Sequence, residues 1–166
     1  MSKVIDKDLG YERILQTLLD SNQSIDVGLF ADDARKTHSR SKNTYAEIVV
    51  VNEYGSGAIP ERSFMRSTID KNVIRYSRMV RKAIKRTTGR HSRIPLERLF
   101  EVIGMRIRDD IRHTIRTQND PINAEGTANR KGFNDPLVET GTLQKLIKSR
   151  VLHHKVSRYR LRKGRK

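Results

Sequence analysis

Two long segments of this chain carry apolar residues at the spacing of an α-helix, and they constrain its fold more than any other feature. The first is predicted to be capped by Ser63 and to run to about Thr88, and the second begins at Pro95. The apolar stripe of the first consists of Ile69, Val73, Tyr76, Val80, Ala83 and Ile84. The stripe of the second consists of Leu96, Leu99, Phe100, Ile103, Ile107, Ile111 and Ile115. Each helix is therefore predicted to bury one side against a common core.

Shorter segments predict a small sheet beside these helices. Ile25–Phe30 alternates apolar with small or polar residues, which indicates a strand, and Val151–Val156 is predicted as the last strand. Tyr45–Tyr54 fits either a strand, by its β-branched residues, or a short helix, by its apolar spacing. The predicted fold class is α+β: a small, mainly antiparallel sheet packed by two long amphipathic helices.

The remaining segments are predicted as connections and short helices. Residues 31–43 are polar and mixed in charge, and residues 117–136 are rich in Asn, Gly, Asp and Pro, so both are predicted as irregular loops. A first helix is predicted to begin near Asp8 and to end before Ser21. A short helix, capped by Thr140, is predicted to run through Ile147.

The chain is strongly basic, with 35 Lys and Arg residues against 19 acids and a formal net charge of +16. The first 60 residues carry a small excess of acids, so the positive charge belongs to the rest of the chain. Residues 158–166 contain six basic residues and no acid, and are predicted as a disordered tail behind a single domain of residues 1–157. Such asymmetry predicts a polyanionic or acidic partner.

The basic residues predicted to contact that partner lie on the outer faces of the two long helices and in the tail. They are Arg78, Lys82, Lys85, Arg86, Arg108, Arg112, Arg158, Arg160, Arg162, Lys163, Arg165 and Lys166. The aromatic residues do not interleave with them, which disfavours a stacking platform for single-stranded nucleic acid. Non-specific phosphate attraction, or an acidic face of a neighbouring protein, remains.

No catalytic, metal or cofactor site is predicted, and the protein is predicted not to be an enzyme. The chain contains no cysteine and no phosphate-binding loop, and no apolar run is long enough to span a membrane. The adjacent acids Asp109 and Asp110 diverge on a helix, so salt bridges with neighbouring arginines explain them better than a metal-dependent nuclease does. The neighbours His153 and His154 would face opposite sides of a strand.

A distinctive stretch, Asn52–Arg66, joins the ambiguous segment to the first long helix. Gly55 and Gly57 permit backbone angles that other residues resist, and Pro60 stiffens the turn. Arg62 and Arg66 lie at the start of the helix, where the helix dipole disfavours a positive charge. They are therefore predicted to have acidic partners, either Glu53 or Glu61 or a residue of a neighbouring subunit.

This stretch resembles a pattern of phage tail-completion or neck proteins, which join the head to the tail. Ile59–Arg66 is similar to the family's Ile-Pro-x-Arg-x-Phe-hydrophobic-Arg pattern, and it follows Asn52–Gly55, which is similar to Asn-Glu-aromatic-Gly. Thr127–Gly132 and Pro136–Leu143 resemble the family's later Thr-x-x-Arg-Lys-Gly and Pro-Leu-Val-Asp-Thr-Gly-x-Leu elements, in the same order.

The resemblance implies a structural virion protein that forms a homo-oligomeric ring, often of six copies, at the head–tail junction. Its implied partners are the connector or neck, the tail tube or terminator proteins, and the duplex DNA that passes through, without a membrane. The implied place is the virion, after assembly in the cytoplasm of the host bacterium. The residues implied in subunit or partner contacts are Tyr54, Gly55, Ile59, Pro60, Arg62, Phe64, Arg66, Leu137, Thr140 and Gly141.

Three alternatives stay open. A DNA-binding architectural protein would bind duplex DNA tightly as a monomer, in a salt-sensitive manner. A nuclease would require a metal ion and would lose activity on replacement of Asp109 or Asp110. A head-morphogenesis factor would be missing from purified virions.

Overall fold

A computed structural model describes residues 22–39, 41–57, 59–88, 94–132, 134, 137 and 141–154. These residues form an α+β fold, as predicted, in which long helices pack on a two-stranded antiparallel sheet. In chain order the elements are β1 (Gln23–Leu29), α1 (Ala31–Ala34), α2 (Tyr45–Tyr54), α3 (Met65–Thr88), α4 (Leu96–Thr117), α5 (Glu125–Lys131), α6 (Thr142–Leu146) and β2 (Ile147–His153). None of the described helices combines the length and hydropathy that a membrane crossing requires.

The sheet joins the two ends of the described chain. β1 pairs antiparallel with β2, from Gln23 opposite His153 to Leu29 opposite Ile147. A two-stranded sheet is only marginally stable alone, so it depends on the helix that covers it. That helix is α4, which contacts both strands.

α4 lies close against the sheet because a glycine faces the strands. A Cβ added at Gly104 would approach the Ile25 Cγ2 atom to 3.0 Å and the Ser149 Cβ atom to 3.2 Å. The predicted stripe of α4 is confirmed, since its buried apolar residues are Leu96, Phe100, Ile103, Ile111 and Ile115. Pro95 precedes the first helical turn as its N-cap residue rather than lying within that turn.

α3 packs along the other flank of α4, and its predicted stripe is confirmed at Tyr76, Val80, Ala83 and Ile84 but not in the first turns. The Tyr76 hydroxyl donates to Asp110 at 2.9 Å, and the hydroxyls of Thr68 and Thr114 lie 2.6 Å apart. The prediction that Ile69 and Val73 are buried is wrong, because both are exposed. Thr68 takes the inward position in the first turns, and the next residue lies about 100° further around the helix.

Two apolar clusters form the core. The buried residues of the first cluster are Tyr45, Phe64, Ile111, Ile115, Leu137, Leu143 and Ile147. Those of the second cluster are Ala83, Leu96, Phe100 and Ile103. α4 contributes residues to both clusters and therefore links them.

The ambiguous segment is a helix, α2, because its start is capped. The Glu47 amide donates to the Thr44 hydroxyl at 3.3 Å, and the Thr44 amide donates to the Glu47 carboxylate at 2.7 Å. This reciprocal capping box satisfies two amides that the first turn leaves unpaired. The bonds from Thr44 also hold the pKa of Glu47 below its usual value.

Residues 31–43, predicted as a loop, contain the short helix α1 and a buried carboxylate. Asp33 accepts hydrogen bonds from Lys148 on β2 and, at 2.7 Å, from Lys36. The ammonium group of Lys148, and to a smaller extent that of Lys36, holds the pKa of Asp33 below its usual value. The bond to Lys148 attaches α1 to the sheet.

Two further boundaries differ from the predictions. Residues 117–136 were predicted as an irregular loop, but they include α5, whose left-handed C-cap is Gly132. β2 begins at Ile147 rather than Val151, directly after α6, which ends at Leu146, one residue earlier than predicted. The first predicted helix, the domain boundary at residue 157 and the basic tail lie outside the described residues.

Candidate functional site

The stretch that resembles the phage family forms the connection from α2 to α3, and residues 52–66 are called the motif segment here. It turns at Gly55, whose φ is 73°. A Cβ at Gly55 would approach the Glu61 amide nitrogen to 3.1 Å and the Ile59 carbonyl oxygen to 3.2 Å. Ser56 and Ile59 close the turn with an antiparallel bridge. The prediction for Gly55 is therefore confirmed, whereas Gly57 has no positive φ and needs no special backbone angle.

Gly55 and Gly57 form a matched pair for substitution. Gly55→Ala should lower the free energy of unfolding by about 1–3 kcal/mol, because it combines an unfavourable φ with close backbone contacts. Gly57→Ala should change it by less than about 0.5 kcal/mol, because nothing lies within 4 Å of the added Cβ. Urea unfolding of both variants measures the difference, and equal losses would contradict this account of the turn.

The N-terminus of α3 is capped by a carboxylate from the preceding helix. Glu53, buried at the end of α2, accepts the Met65 amide at 3.0 Å and the Arg66 amide at 2.7 Å. The first amides of a helix have no partner within it, and the helix dipole favours a negative charge there. Glu53 therefore does what was predicted for Ser63, from a position twelve residues before Met65.

Arg66 connects the carboxylates on the two sides of the turn. Its guanidinium donates to the Glu53 carbonyl at 2.5 Å and to the Glu61 carboxylate at 2.7 Å. It also lies 4.5 Å from the centre of the Tyr54 ring, a cation–π distance. The predicted acidic partners of Arg66 are confirmed within the same chain.

Arg62 is buried, and no carboxylate among the described residues pairs with it, contrary to the prediction. Its guanidinium donates to the Pro121 carbonyl at 2.7 Å and to the Ile122 carbonyl at 2.8 Å, and its amide donates to the Asn52 carbonyl at 2.6 Å. Burial lowers the pKa of Arg62 below its usual value, although a guanidinium stays protonated in proteins. Arg62 thus fastens the motif segment to the connection after α4.

Phe64 brings the two family-like regions together. It is fully buried in the first cluster, where Leu137 and Leu143 from the later region also lie. Three residues predicted in partner contacts, Arg62, Phe64 and Leu137, are therefore interior residues of this chain. Their described contacts hold the motif segment in place and leave them little accessible surface.

Other predicted interface residues are accessible. Tyr54, Ile59, Pro60 and Arg66 are exposed, and Gly55 and Gly141 are half-buried. Gly141 is the N-cap of α6 with a left-handed backbone. Thr140 lies outside the described residues.

Exposed apolar side chains extend from α2 onto α3. Val50 and Tyr54 are one helical turn apart on α2, and Ile69 and Val73 are one turn apart on α3. Arg66, Ile69 and Val73 lie within about 60° of one another around α3. Since the Arg66 guanidinium stacks on the Tyr54 ring, the exposed pair on α2 and the exposed pair on α3 lie on the same side of the molecule. The exposed apolar residues Val50, Tyr54, Ile69 and Val73 are called the apolar face.

The basic residues on the two long helices differ in their surroundings. Arg112 donates to the Ile147 carbonyl at 2.7 Å, and burial lowers its pKa below the usual value. Arg108 pairs with Asp109 at 2.8 Å. On α3, by contrast, the four residues predicted in polyanion contacts are all exposed: Arg78, Lys82, Lys85 and Arg86. The tail residues predicted in such contacts lie outside the described ranges.

The acid pair of α4 takes part in salt bridges, as predicted. Asp109 pairs with Arg108, and Asp110 pairs with Arg106 at 3.3 Å and with Arg75 of α3. No group of three or more metal-binding side chains occurs among the residues that the structure describes.

The adjacent histidines of β2 have separate partners. His153 lies 3.1 Å from a Glu97 oxygen, whereas His154 lies 2.8 Å from the Ser24 hydroxyl. Their rings therefore serve two different contacts rather than one common site.

The chain matches no protein-family model, no curated protein and no solved structure. The likeness to phage tail-completion and neck proteins therefore rests on the motif residues and their order. The geometry explains why these residues occur together, since Glu53, Gly55, Arg62 and Phe64 shape one turn and fix the start of α3.

Proposed function

We propose that this protein is a structural component of a phage head–tail junction, where copies of it form a ring between the connector and the tail. The observation that carries the proposal is the combination of a rigidly held motif segment with exposed apolar residues beside it. The family resemblance supplies the biological setting. The contacts described above supply a physical reason for the order of residues in the motif.

The rigidity of the motif segment supports an assembly role. Hydrogen bonds accepted by the buried Glu53 and donated by the buried Arg62, together with the buried ring of Phe64, fix its backbone. Tyr54 and Ile59 are nevertheless exposed on it. Apolar side chains held in a fixed position lose little entropy when a partner covers them, which favours stable association.

The apolar face is the surface proposed to contact a second copy of the chain. Large exposed apolar patches on soluble proteins commonly mark interaction sites, and the core of a subunit interface is depleted in charge. Tyr is enriched in such cores. In a ring, this face meets a different surface of the next subunit, because head-to-tail contacts close into cyclic assemblies.

A matched pair of valines tests this surface. Val73 on the apolar face is 50% exposed, and Val102 on α4 is 55% exposed, so a charge is equally tolerable at both positions in the monomer. Val73→Glu should shift assembly toward the monomer by at least about tenfold in concentration, since an unpaired charge in an interface costs more than about 1.4 kcal/mol. Val102→Glu should assemble as the wild type does.

Light scattering over a concentration series gives the assembly state, and thermal unfolding of the monomers confirms equal folding. Assembly that is unaffected by Val73→Glu, or equally weakened by Val102→Glu, would contradict the assignment of this face.

A second candidate function is that of a non-specific DNA-binding architectural protein. The uncompensated positive charge along α3 favours it. The assembly state distinguishes the two functions. An architectural protein coats duplex DNA as a monomer, whereas a junction protein forms closed rings without requiring DNA.

A further inference from the structure

The outer surface of α3 concentrates positive charge more than any other described helix. α3 contains eight basic residues and one acid, Asp70. α4 is of similar length but contains five basic residues and four acids. The predicted basic faces of the two helices are therefore not equivalent.

Four of the basic residues of α3 form a straight row. They are Lys71, Arg78, Lys82 and Lys85, and they are called the basic stripe. At 100° per residue they lie within about 60° of one another around the helix, and at 1.5 Å per residue they span about 21 Å. All four are exposed, and Arg81 and Arg86 flank them.

Little negative charge lies near the stripe. Asp70 lies about 80° from Arg78 around the helix. Asp110, the acid of α4 nearest to this surface, is occupied by Arg75, Arg106 and the Tyr76 hydroxyl. Neither Arg78 nor Lys82 forms a salt bridge with any residue in the described ranges. Arg78 and Lys82 therefore present positive charge that no acid in the described part of the chain neutralises.

Four of the five arginines of α4 are engaged in contacts within the chain. Arg98 pairs with Glu101 at 3.0 Å, Arg106 with Asp110, and Arg108 with Asp109. Arg112 donates to backbone carbonyls of the α6–β2 corner. These contacts hold the fold together and reduce the charge that α4 presents.

The composition of the stripe indicates the chemical class of its partner. Protein interfaces have an apolar core in which Lys is depleted, whereas this row is mainly Lys with Ile74 as its exposed apolar neighbour. A helix that lies on a membrane inserts a continuous apolar face opposite its basic face, whereas opposite this stripe Tyr76 and Val80 pack inward and only Ile69 and Val73 are exposed. Single-stranded nucleic acid requires aromatic stacking residues, which the stripe lacks.

We propose that the basic stripe of α3 is a contact surface for the phosphate backbone of duplex DNA, without sequence specificity. A rod of about 21 Å with exposed cations at successive turns can follow a line of phosphates, and base recognition is not implied. The inference rests on the proposed junction function only in identifying this DNA as the genome in passage. The contact itself follows from the charge and exposure of the stripe.

The test compares two triple variants of the full chain that lose the same charge. Arg78→Gln, Lys82→Gln and Lys85→Gln together remove three of the four charges of the stripe, whereas Arg98→Gln, Arg106→Gln and Arg108→Gln remove three arginines of α4 that have carboxylate partners. Glutamine preserves helix propensity at these positions. Fluorescence anisotropy with a short labelled duplex measures Kd across a salt series, and circular dichroism confirms that both variants fold.

Loss of the three charges should raise Kd at least about tenfold at ~100 mM salt. It should also reduce the magnitude of the slope of log association constant against log salt by about 2 to 3, because each phosphate contact contributes about 0.9 to that slope. The α4 variant should stay within about threefold of the wild type, because its arginines have partners. Equal losses in the two variants, binding that survives removal of the stripe, or a wild type that binds no duplex DNA would overturn the inference. Equally tight stripe-dependent binding to polyglutamate or to anionic vesicles would overturn the assignment to DNA.

Measuring ring formation on the same samples separates this inference from the proposed function. Rings whose DNA binding does not depend on the stripe would leave the junction proposal standing and refute the inference. Stripe-dependent DNA binding by a chain that never forms rings would do the reverse.

Discussion

Phe64→Ala is expected to lower the free energy of unfolding by about 3–5 kcal/mol, the largest loss from any single substitution in the motif segment. The Phe64 ring is fully buried where the motif segment, α4 and the later family-like region meet. Its removal leaves a cavity that fixed helices on several sides cannot close. A small domain is stabilised by about 5–15 kcal/mol in total, so this change consumes a large part of its stability.

Phe64→Leu is the control for this substitution, because leucine keeps most of the apolar volume in the cluster. It should cost clearly less than the alanine change, about 1–2 kcal/mol. Urea unfolding followed by circular dichroism gives both values. A loss below about 1 kcal/mol for Phe64→Ala would show that the ring is not the centre of the first cluster.

Glu53→Ala is expected to lower the free energy of unfolding by about 2–4 kcal/mol, because it leaves two helix amides without an acceptor in a buried position. The amides are those of Met65 and Arg66, which Glu53 accepts at 3.0 and 2.7 Å. The same change removes a charge that favours the N-terminus of α3 and a partner of the Arg66 guanidinium. Hydrogen exchange at the first turn of α3 should increase together with the loss of stability.

Glu61 offers a matched control, since its carboxylate also contacts Arg66. The Glu53 side chain is 5% exposed and the Glu61 side chain is 54% exposed, so solvent screens only the second pair effectively. Glu61→Ala should therefore cost no more than about 1 kcal/mol. If both substitutions had the same effect, the helix cap assigned to Glu53 would be wrong.

The sequence predicts the two long helices and most of their buried sides, but not the inward residue in the first turns of α3. Apolar spacing from Leu96 to Ile115 is sufficient to identify the buried side of α4. On α3, residues 68 and 69 are neighbours, and the choice of Thr68 over Ile69 as the inward residue depends on the hydroxyl of Thr114. A partner from another helix decides this contact, so no local pattern reveals it.

Two local signals in the sequence, a helix cap and a glycine within a helix, indicate features that apolar spacing alone does not. Thr44 followed by Glu47 is a capping-box pattern, and it identifies α2 as a helix rather than a strand. The glycine in the middle of α4, Gly104, interrupts a regular apolar pattern and indicates close packing against another element. Both signals are present in the sequence.

The contacts of the buried arginine could not be predicted in this way. Arg62 binds carbonyl groups about sixty positions further along the chain, and backbone carbonyls carry no residue-specific signal. The sequence therefore suggests an acidic partner, which is the usual partner of an arginine, whereas the described part of the fold gives Arg62 carbonyl acceptors. The same reasoning applies to Arg112, whose carbonyl acceptors belong to α6 and β2.

Assembly of the chain into a ring is tested most directly by measuring its mass and shape in solution. Light scattering and negative-stain imaging of the full chain, at low and high salt, with and without duplex DNA, give both properties. The expected result is closed rings, often of six copies, that form without DNA or on addition of connector or tail components. A chain that stays monomeric under all these conditions, and coats duplex DNA without closing into rings, would contradict it.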